Sequence, residues 1–130
     1  MSGKRKFYIC SHCGNFVGLI NDAGVPMMCC GEEMTELVPN SVDASLEKHV
    51  PVVSAAQSCA DCIDVQIGSV PHPMEPAHHI TFIYVETERG GQRKNLRVGE
   101  PPMLTFCFMG DKPLAVYAYC NLHGLWVKEI

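Results

Sequence analysis

The sequence predicts a mainly β protein in two parts: a small, metal-stabilised N-terminal domain, then an immunoglobulin-like antiparallel β-sandwich. Three observations carry this expectation. Four cysteines crowd into the first 37 residues, a polar, turn-like stretch runs from Val38 to Glu47, and short β-rich runs broken by Gly and Pro fill the chain from His49 onward. The expected boundaries are residues 1–37 for the first domain, 38–48 for a linker and the start of the second, and 49–130 for the sandwich.

The first part needs a metal because it is too small to do without one. A segment of roughly forty residues buries too little apolar surface to offset its chain entropy, and a structural metal is the usual remedy. In the second part the β-rich runs are Val50–Val53, Ile63–Val70, His79–Thr87, Arg93–Val98, Met103–Met109, Pro113–Cys120 and Gly124–Ile130. Ile80, Phe82 and Tyr84 alternate as if on one face, as do Leu104, Phe106 and Phe108, and Gly90-Gly91 suits a tight hairpin turn. No helical stripe competes, and this many short strands between turn signals fit a sandwich.

Composition excludes several classes of function. Charged residues make up 18% of the chain, the net charge is −4, and no basic block exceeds Lys4-Arg5-Lys6, so no nucleic-acid footprint is present. Neither a long apolar run nor an export leader is legible, so no membrane partner is expected and the cytoplasm is the expected compartment. Eight cysteines beside six histidines then point to metal before disulfides.

Cys10 and Cys13 form a CxxC knuckle, and the adjacent Cys29 and Cys30 supply two more thiolates. Four soft sulfur ligands suit tetrahedral zinc or iron, and the spacing alone leaves both open. The adjacency of Cys29 and Cys30 favours iron, because neighbouring ligands distort the tetrahedron. His12, inside the knuckle, reads as a solvated loop residue, and disulfides within this set are disfavoured by a strained vicinal pair and a very short loop.

A second donor set lies at strand ends and in the loops between strands: His49, His72, His78, Cys120 and His123. Pro71 and Pro73 bracket His72 and stiffen its backbone. Singly, each histidine is an ordinary surface or core residue. Together, five nitrogen and sulfur donors exceed the four of a closed zinc site and suit redox-active iron, with copper the competitor. His79 points to the opposite face from His78, so only one of the two is expected to bind.

In order along the chain, CxxC, the Cys29-Cys30 pair, EKHVPV at residues 47–52, VPHPM at 70–74 and CNLHG at 120–124 resemble the desulfoferrodoxins, the two-iron superoxide reductases. The resemblance spans nearly the whole chain. It implies a desulforedoxin-like N-terminal domain with a rubredoxin-like iron on Cys10, Cys13, Cys29 and Cys30. It also implies a second iron with His49, His72, His78 and His123 in a plane and Cys120 axial, hence two Fe ions per chain. The implied reaction is one-electron reduction of superoxide to hydrogen peroxide at an open position opposite Cys120, with rubredoxin as electron donor and a homodimer as the assembly. Lys48 would draw in the anion and Glu47 would take the open position in the ferric form. Backbone N–H groups of Leu122 and His123 would tune the sulfur. Without the resemblance, Glu47 and Lys48 read as an exposed charge pair.

One place departs from the family pattern: Cys59-Ala-Asp-Cys62. Three readings compete for these two thiols: a third metal site, which lacks further ligands, a pair of spare thiols, and, favoured, a pair that stays mostly open in a reducing cytoplasm and closes into a small disulfide under oxidation. Cys107 reads as a buried apolar residue on its strand. Two rivals stand beside the enzyme: an electron-transfer protein without an open position, and a zinc- or iron-binding module.

Overall fold

The computed structural model describes residues 5–57 and 59–130. The chain separates into two compact units, with the break between Val38 and Pro39. The mainly β, antiparallel character expected from the sequence is what the chain adopts. A single turn of helix interrupts it among the described residues.

In the first unit, β1 (Phe7–Ile9) lies between β2 (Phe16–Gly18) and β5 (Thr35–Glu36), while β3 (Met28–Cys29) and β4 (Glu32–Glu33) make a separate hairpin. The strands are two or three residues long, and the buried apolar side chains are Phe7, Cys10 and Met34. Ring contact between Phe7 and Phe16, with centroids 6.1 Å apart, and an exposed Lys6–Asp22 ion pair at 3.0 Å add to these. An exposed pair of that kind adds little.

The second unit begins with a stretch that is more ordered than a linker. Asn40 sits in the left-handed region, at φ 58, and its side chain exchanges two hydrogen bonds with the backbone of Val127, at 2.8 and 3.1 Å. After it come α1 (Leu46–His49), β6 (Pro51–Ala55), β7 (Cys62–Ile67), β8 (Ile80–Thr87), β9 (Gly90–Asn95), β10 (Met103–Cys107), β11 (Pro113–Cys120) and β12 (Gly124–Glu129). One sheet has the order β10-β7-β6 and the other β12-β11-β8-β9, all neighbours antiparallel. Val65, Ile67 and Phe106 from the first sheet meet Ile80, Ile83, Val85, Val116, Ala118 and Cys120 from the second in one buried cluster. Leu104, Phe106 and Phe108 share that inner face, as expected.

Two local expectations fail for identifiable reasons. Ile80, Phe82 and Tyr84 do not share a face, because β8 carries an extra residue where it meets β11: Tyr119 pairs with Phe82, but Cys120 pairs with Ile80. The bulge switches the alternation, so Ile80, Ile83 and Val85 face the core, while Phe82 lies against Tyr119 and Tyr84 near Tyr117. Gly90-Gly91 is not the hairpin turn either. Glu88 and Arg89 turn the chain, and the glycines open β9. A Cβ on Gly91 would meet the Tyr84 ring and hydroxyl across the strands, so the glycine leaves room for Tyr84 where it lies.

Candidate metal centres

The N-terminal donors converge through two turns. Cys10 follows β1, and the chain folds over its sulfur so that the N–H of Cys13 points to Cys10 Sγ at 3.5 Å. Across from it, Cys29 ends β3 and Cys30 begins the hairpin turn at φ 53, followed by Gly31 at φ 75. Two consecutive left-handed residues make a tight primed turn, and the non-glycine one is held there at a cost of ~1–2 kcal/mol. That turn is how two adjacent cysteines both face one point.

Cys13 Sγ lies 3.6 Å from Cys29 Sγ, which is 3.9 Å from Cys30 Sγ, and the four sulfurs all lie within 4.8 Å of one another. Tetrahedral bonds of about 2.3 Å would separate sulfurs by ~3.8 Å. None of the four is in a disulfide. Asn15 contributes a backbone N–H to Cys13 Sγ at 3.4 Å and its side-chain amide to Cys29 Sγ at 3.6 Å.

Backbone donors from Cys13 and His12 lower the Cys10 thiol to about 6. Hydrogen bonding among the neighbouring sulfurs pushes Cys29 up, and Cys30 up to about 12. Four thiolates this close need a cation to coexist. His12 lies outside the set, its Nε2 2.8 Å from a Glu32 carboxylate oxygen.

The second set is assembled from four segments around the end of the sandwich. His49 is the last residue of α1 and is buried. His72 sits in the loop after β7, His78 just before β8, and Cys120 and His123 flank the turn between β11 and β12. The loop after β7 can pass beneath α1 only because residue 68 is glycine. At φ +86, a Cβ there would lie 2.3 to 2.8 Å from the carbonyl oxygens of Val70, Lys48 and Glu47. Val70 N–H and the Ser69 hydroxyl both donate to the Glu47 carbonyl, tying this loop to the helical turn.

The four imidazoles stand near the corners of a square. Going round, ring centroids are 4.7 Å (His49–His72), 4.6 Å (His72–His78), 5.1 Å (His78–His123) and 4.9 Å (His123–His49) apart, while the His49–His78 diagonal is 6.4 Å. His49 Nε2 lies 3.2 Å from both His72 Nε2 and His123 Nδ1. Four nitrogens at ~2.1 Å from a common ion would place neighbours ~3.0 Å apart. Cys120 Sγ, on a fully buried residue, is 3.8 Å from His123 Nδ1, on the core side of the square.

Hydrogen bonds set which nitrogen faces inward. His49 Nδ1 donates to the Ser45 carbonyl at 2.6 Å, and His72 Nδ1 to the Pro73 carbonyl at 2.7 Å. A carbonyl can only accept, so Nδ1 carries the proton and each Nε2 lone pair is free for a ligand role. His78 Nε2 is buried with no hydrogen-bond partner, an orphan that a metal would satisfy. Burial lowers the His49 and His78 imidazoles and takes His72 down to about 4, and the Lys48 ammonium adds to the lowering of the first two. Neutral rings at pH 7 are what coordination requires. The donor set fits a six-coordinate redox metal such as iron with one position left over, and the four sulfurs fit a tetrahedral ion.

A family model described as Desulfoferrodoxin matches residues 41–129. The chain belongs to the desulfoferrodoxin family. It is 41% identical to a desulfoferrodoxin from Syntrophotalea carbinolica over 99% of both chains, and 39% identical to one from Nitratidesulfovibrio vulgaris over the same share of each. Among solved structures, the superoxide reductase from Treponema pallidum matches with a TM-score of 0.79 and 34% identity, covering 97% of this chain and 99% of that one. The family is an iron-binding one, and both donor groups are present here.

Other residues fall as follows. His79 turns its Nδ1 to the Glu75 carbonyl at 3.0 Å, away from the square. Glu47 and Lys48 are exposed on α1 beside it. Among the described residues, neither Leu122 nor His123 gives a backbone N–H to Cys120 Sγ; the neighbour in range is the His123 ring. Sequence reasoning missed three supports. Trp126 stacks on His49 at 4.8 Å and donates its Nε1–H to the His123 carbonyl at 3.1 Å. Asn121 accepts from His79 N–H at 2.9 Å and donates to the Ala77 carbonyl at 3.0 Å, fastening two ligand-bearing segments together. The Ser45 carbonyl is the third, and its identity as a backbone group left no sequence signal.

The thiol expectations are corrected. Cys62 is bridged to Cys107, not to Cys59, because β10 pairs Cys107 directly opposite Cys62; Cys107 is exposed, not buried. Cys59 remains a free, exposed thiol. Among the described residues, no helix is long and apolar enough to cross a membrane.

Proposed function

We propose that this chain is a superoxide reductase, reducing superoxide to hydrogen peroxide at an iron held by His49, His72, His78, His123 and Cys120. The observation that carries the reading is the near-square of four imidazoles with a buried sulfur on its core side. His49, His72, His78, His123 and Cys120 would hold the ion, and five protein donors would leave a six-coordinate metal one position for a small anion. Bound in the ferrous state, the iron supplies one electron, and two protons from solvent complete the peroxide.

The chain's own groups prepare that position. Ser45 and Pro73 carbonyls hold His49 and His72 in the tautomer that binds. Trp126 and Asn121 fix the His123 and His78 segments. Lys48 places a cation beside the rings, raising the local concentration of an anionic substrate. Glu47 is the candidate to fill the open position when the metal is oxidised. The buried Cys120 sulfur would be the thiolate donor to the bound metal, the ligand type that enriches a metal in electron density. Cys10, Cys13, Cys29 and Cys30 would hold a second iron, which would supply one-electron transfer. A rubredoxin-type donor, a homodimer and a cytoplasmic setting belong to the same reading.

Metal analysis of fresh protein from iron-replete cells tests it directly. About two iron atoms per chain are expected, with separate visible components, whereas zinc without iron would remove the enzymatic reading. Cys13→Ser should change only the N-terminal component. Superoxide consumption by the pre-reduced protein should survive that substitution.

A further inference from the structure

Three sulfurs unused by either metal centre meet at one place. Cys62 opens β7 and Cys107 closes β10, in direct register. The Phe108 N–H donates to the Asp61 carbonyl at 2.8 Å, which makes Cys62 and Cys107 a non-hydrogen-bonded pair, the ladder position where side chains lie closest. Their sulfurs are bonded, and Cys59 in the β6–β7 loop brings a third sulfur within 4.8 Å of both. Cys59 and Cys107 are exposed, whereas Cys62 is only 4% exposed. From His49, β6 leads away to this loop and β7 leads back towards His72. Five residues at ~3.3 Å each put the sulfurs about 17 Å along the hairpin from the histidine square.

We propose that Cys59, Cys62 and Cys107 form a thiol–disulfide exchange site that takes two electrons from a small dithiol, independently of the metal centres. The Cys59 thiolate attacks Cys62 Sγ, the Cys59–Cys62 bond forms, and the Cys62–Cys107 bond breaks. Cys107 leaves as the thiolate, because it is the solvated partner and therefore the better leaving group. The disulfide now includes exposed Cys59. One thiolate of the dithiol attacks Cys59 Sγ and Cys62 departs, taking up a proton. The second thiol of the reductant then displaces Cys59, closing the reductant's own disulfide. Per turn, one dithiol is oxidised, one protein disulfide becomes two thiols, and two protons accompany two electrons. The Cys59–Cys62 bond legible in the CxxC spacing is thus the transient pairing, and Cys62–Cys107 the resting one.

The test uses the full-length, metal-loaded chain with dithiothreitol as the probe, following thiols by alkylation and mass spectrometry. The oxidised wild type should label at Cys59 and not at Cys62 or Cys107. Cys59→Ser should slow reduction of the Cys62–Cys107 bond at least fivefold, with both visible metal components unchanged. Cys107→Ser, oxidised mildly with peroxide, should trap a Cys59–Cys62 bond. Equal reduction rates with and without Cys59, or free Cys59 and Cys62 in oxidised Cys107→Ser protein, would overturn the proposal. The trapping and rate arms use different substitutions, so misfolding of one variant leaves the other decisive.

Discussion

The two units hold their donor sets in opposite ways. In the first, strands of two or three residues and the buried side chains Phe7, Cys10 and Met34 surround four sulfurs, so the site is a large part of what holds the unit. In the second, a buried cluster drawn from two sheets exists without the histidines, and the square is mounted on its end. A metal can therefore substitute for a core in one place and be positioned by a core in another. The first arrangement favours a closed, coordinatively full site, and the second can leave a position open because its geometry does not depend on the ion.

The largest effect should separate the two most sharply. Cys29→Ser should abolish amide protection across residues 7–36, because a structural thiolate site supplies ~10–16 kcal/mol of apparent folding energy. Hydrogen exchange read by mass spectrometry should show the sandwich strands unaffected. Matching loss of protection in β8 and β11 would break the contrast.

His72→Ala should do the reverse. It should reduce superoxide consumption at least ~100-fold by removing a donor, and lower the sandwich's stability by only ~1–3 kcal/mol. Stopped-flow kinetics and a urea titration distinguish the two numbers. Collapse of the fold would mean that the ion, and not the core, supports this unit.

Gly68→Ala probes the mounting itself. A left-handed alanine colliding with three carbonyl oxygens should cost about 2–4 kcal/mol and displace α1, weakening metal retention along with stability. Urea unfolding alongside iron content checks it. Unchanged iron content would show that the loop does not set the square.

Lys48→Ala carries the smallest effect. It should slow the bimolecular reaction with superoxide about tenfold and flatten its ionic-strength dependence, with no change in melting temperature. Rates insensitive to the substitution would return Lys48 to the role of an exposed charge.

Ligand-type residues were legible because their chemistry is local. Two adjacent cysteines after a CxxC, or a histidine between prolines, advertise a donor whatever the fold does around them. The seven strands of the sandwich were legible for a similar reason, since β-rich runs and turn residues act over a few positions. Register and support were not. The bulge that sets Phe82 and Tyr84 on the face of β8 opposite Ile80, Ile83 and Val85 arises from pairing with β11, and the Cys62–Cys107 bond from pairing between β7 and β10, across 45 positions of sequence. Asn121, on the His79 N–H and the Ala77 carbonyl, and Trp126, stacked on His49, act through contacts that exist only once distant segments have met, whereas the carbonyls of Ser45 and Pro73 lie within four positions of the histidines they hold. By itself, the sequence determined which atoms are able to bind and that the chain folds into strands, because donor chemistry and backbone preference belong to single residues. Only the tertiary structure decided which imidazoles meet, which thiols pair and which face of β8 joins the cluster between the sheets, because those depend on distances between residues far apart in the sequence.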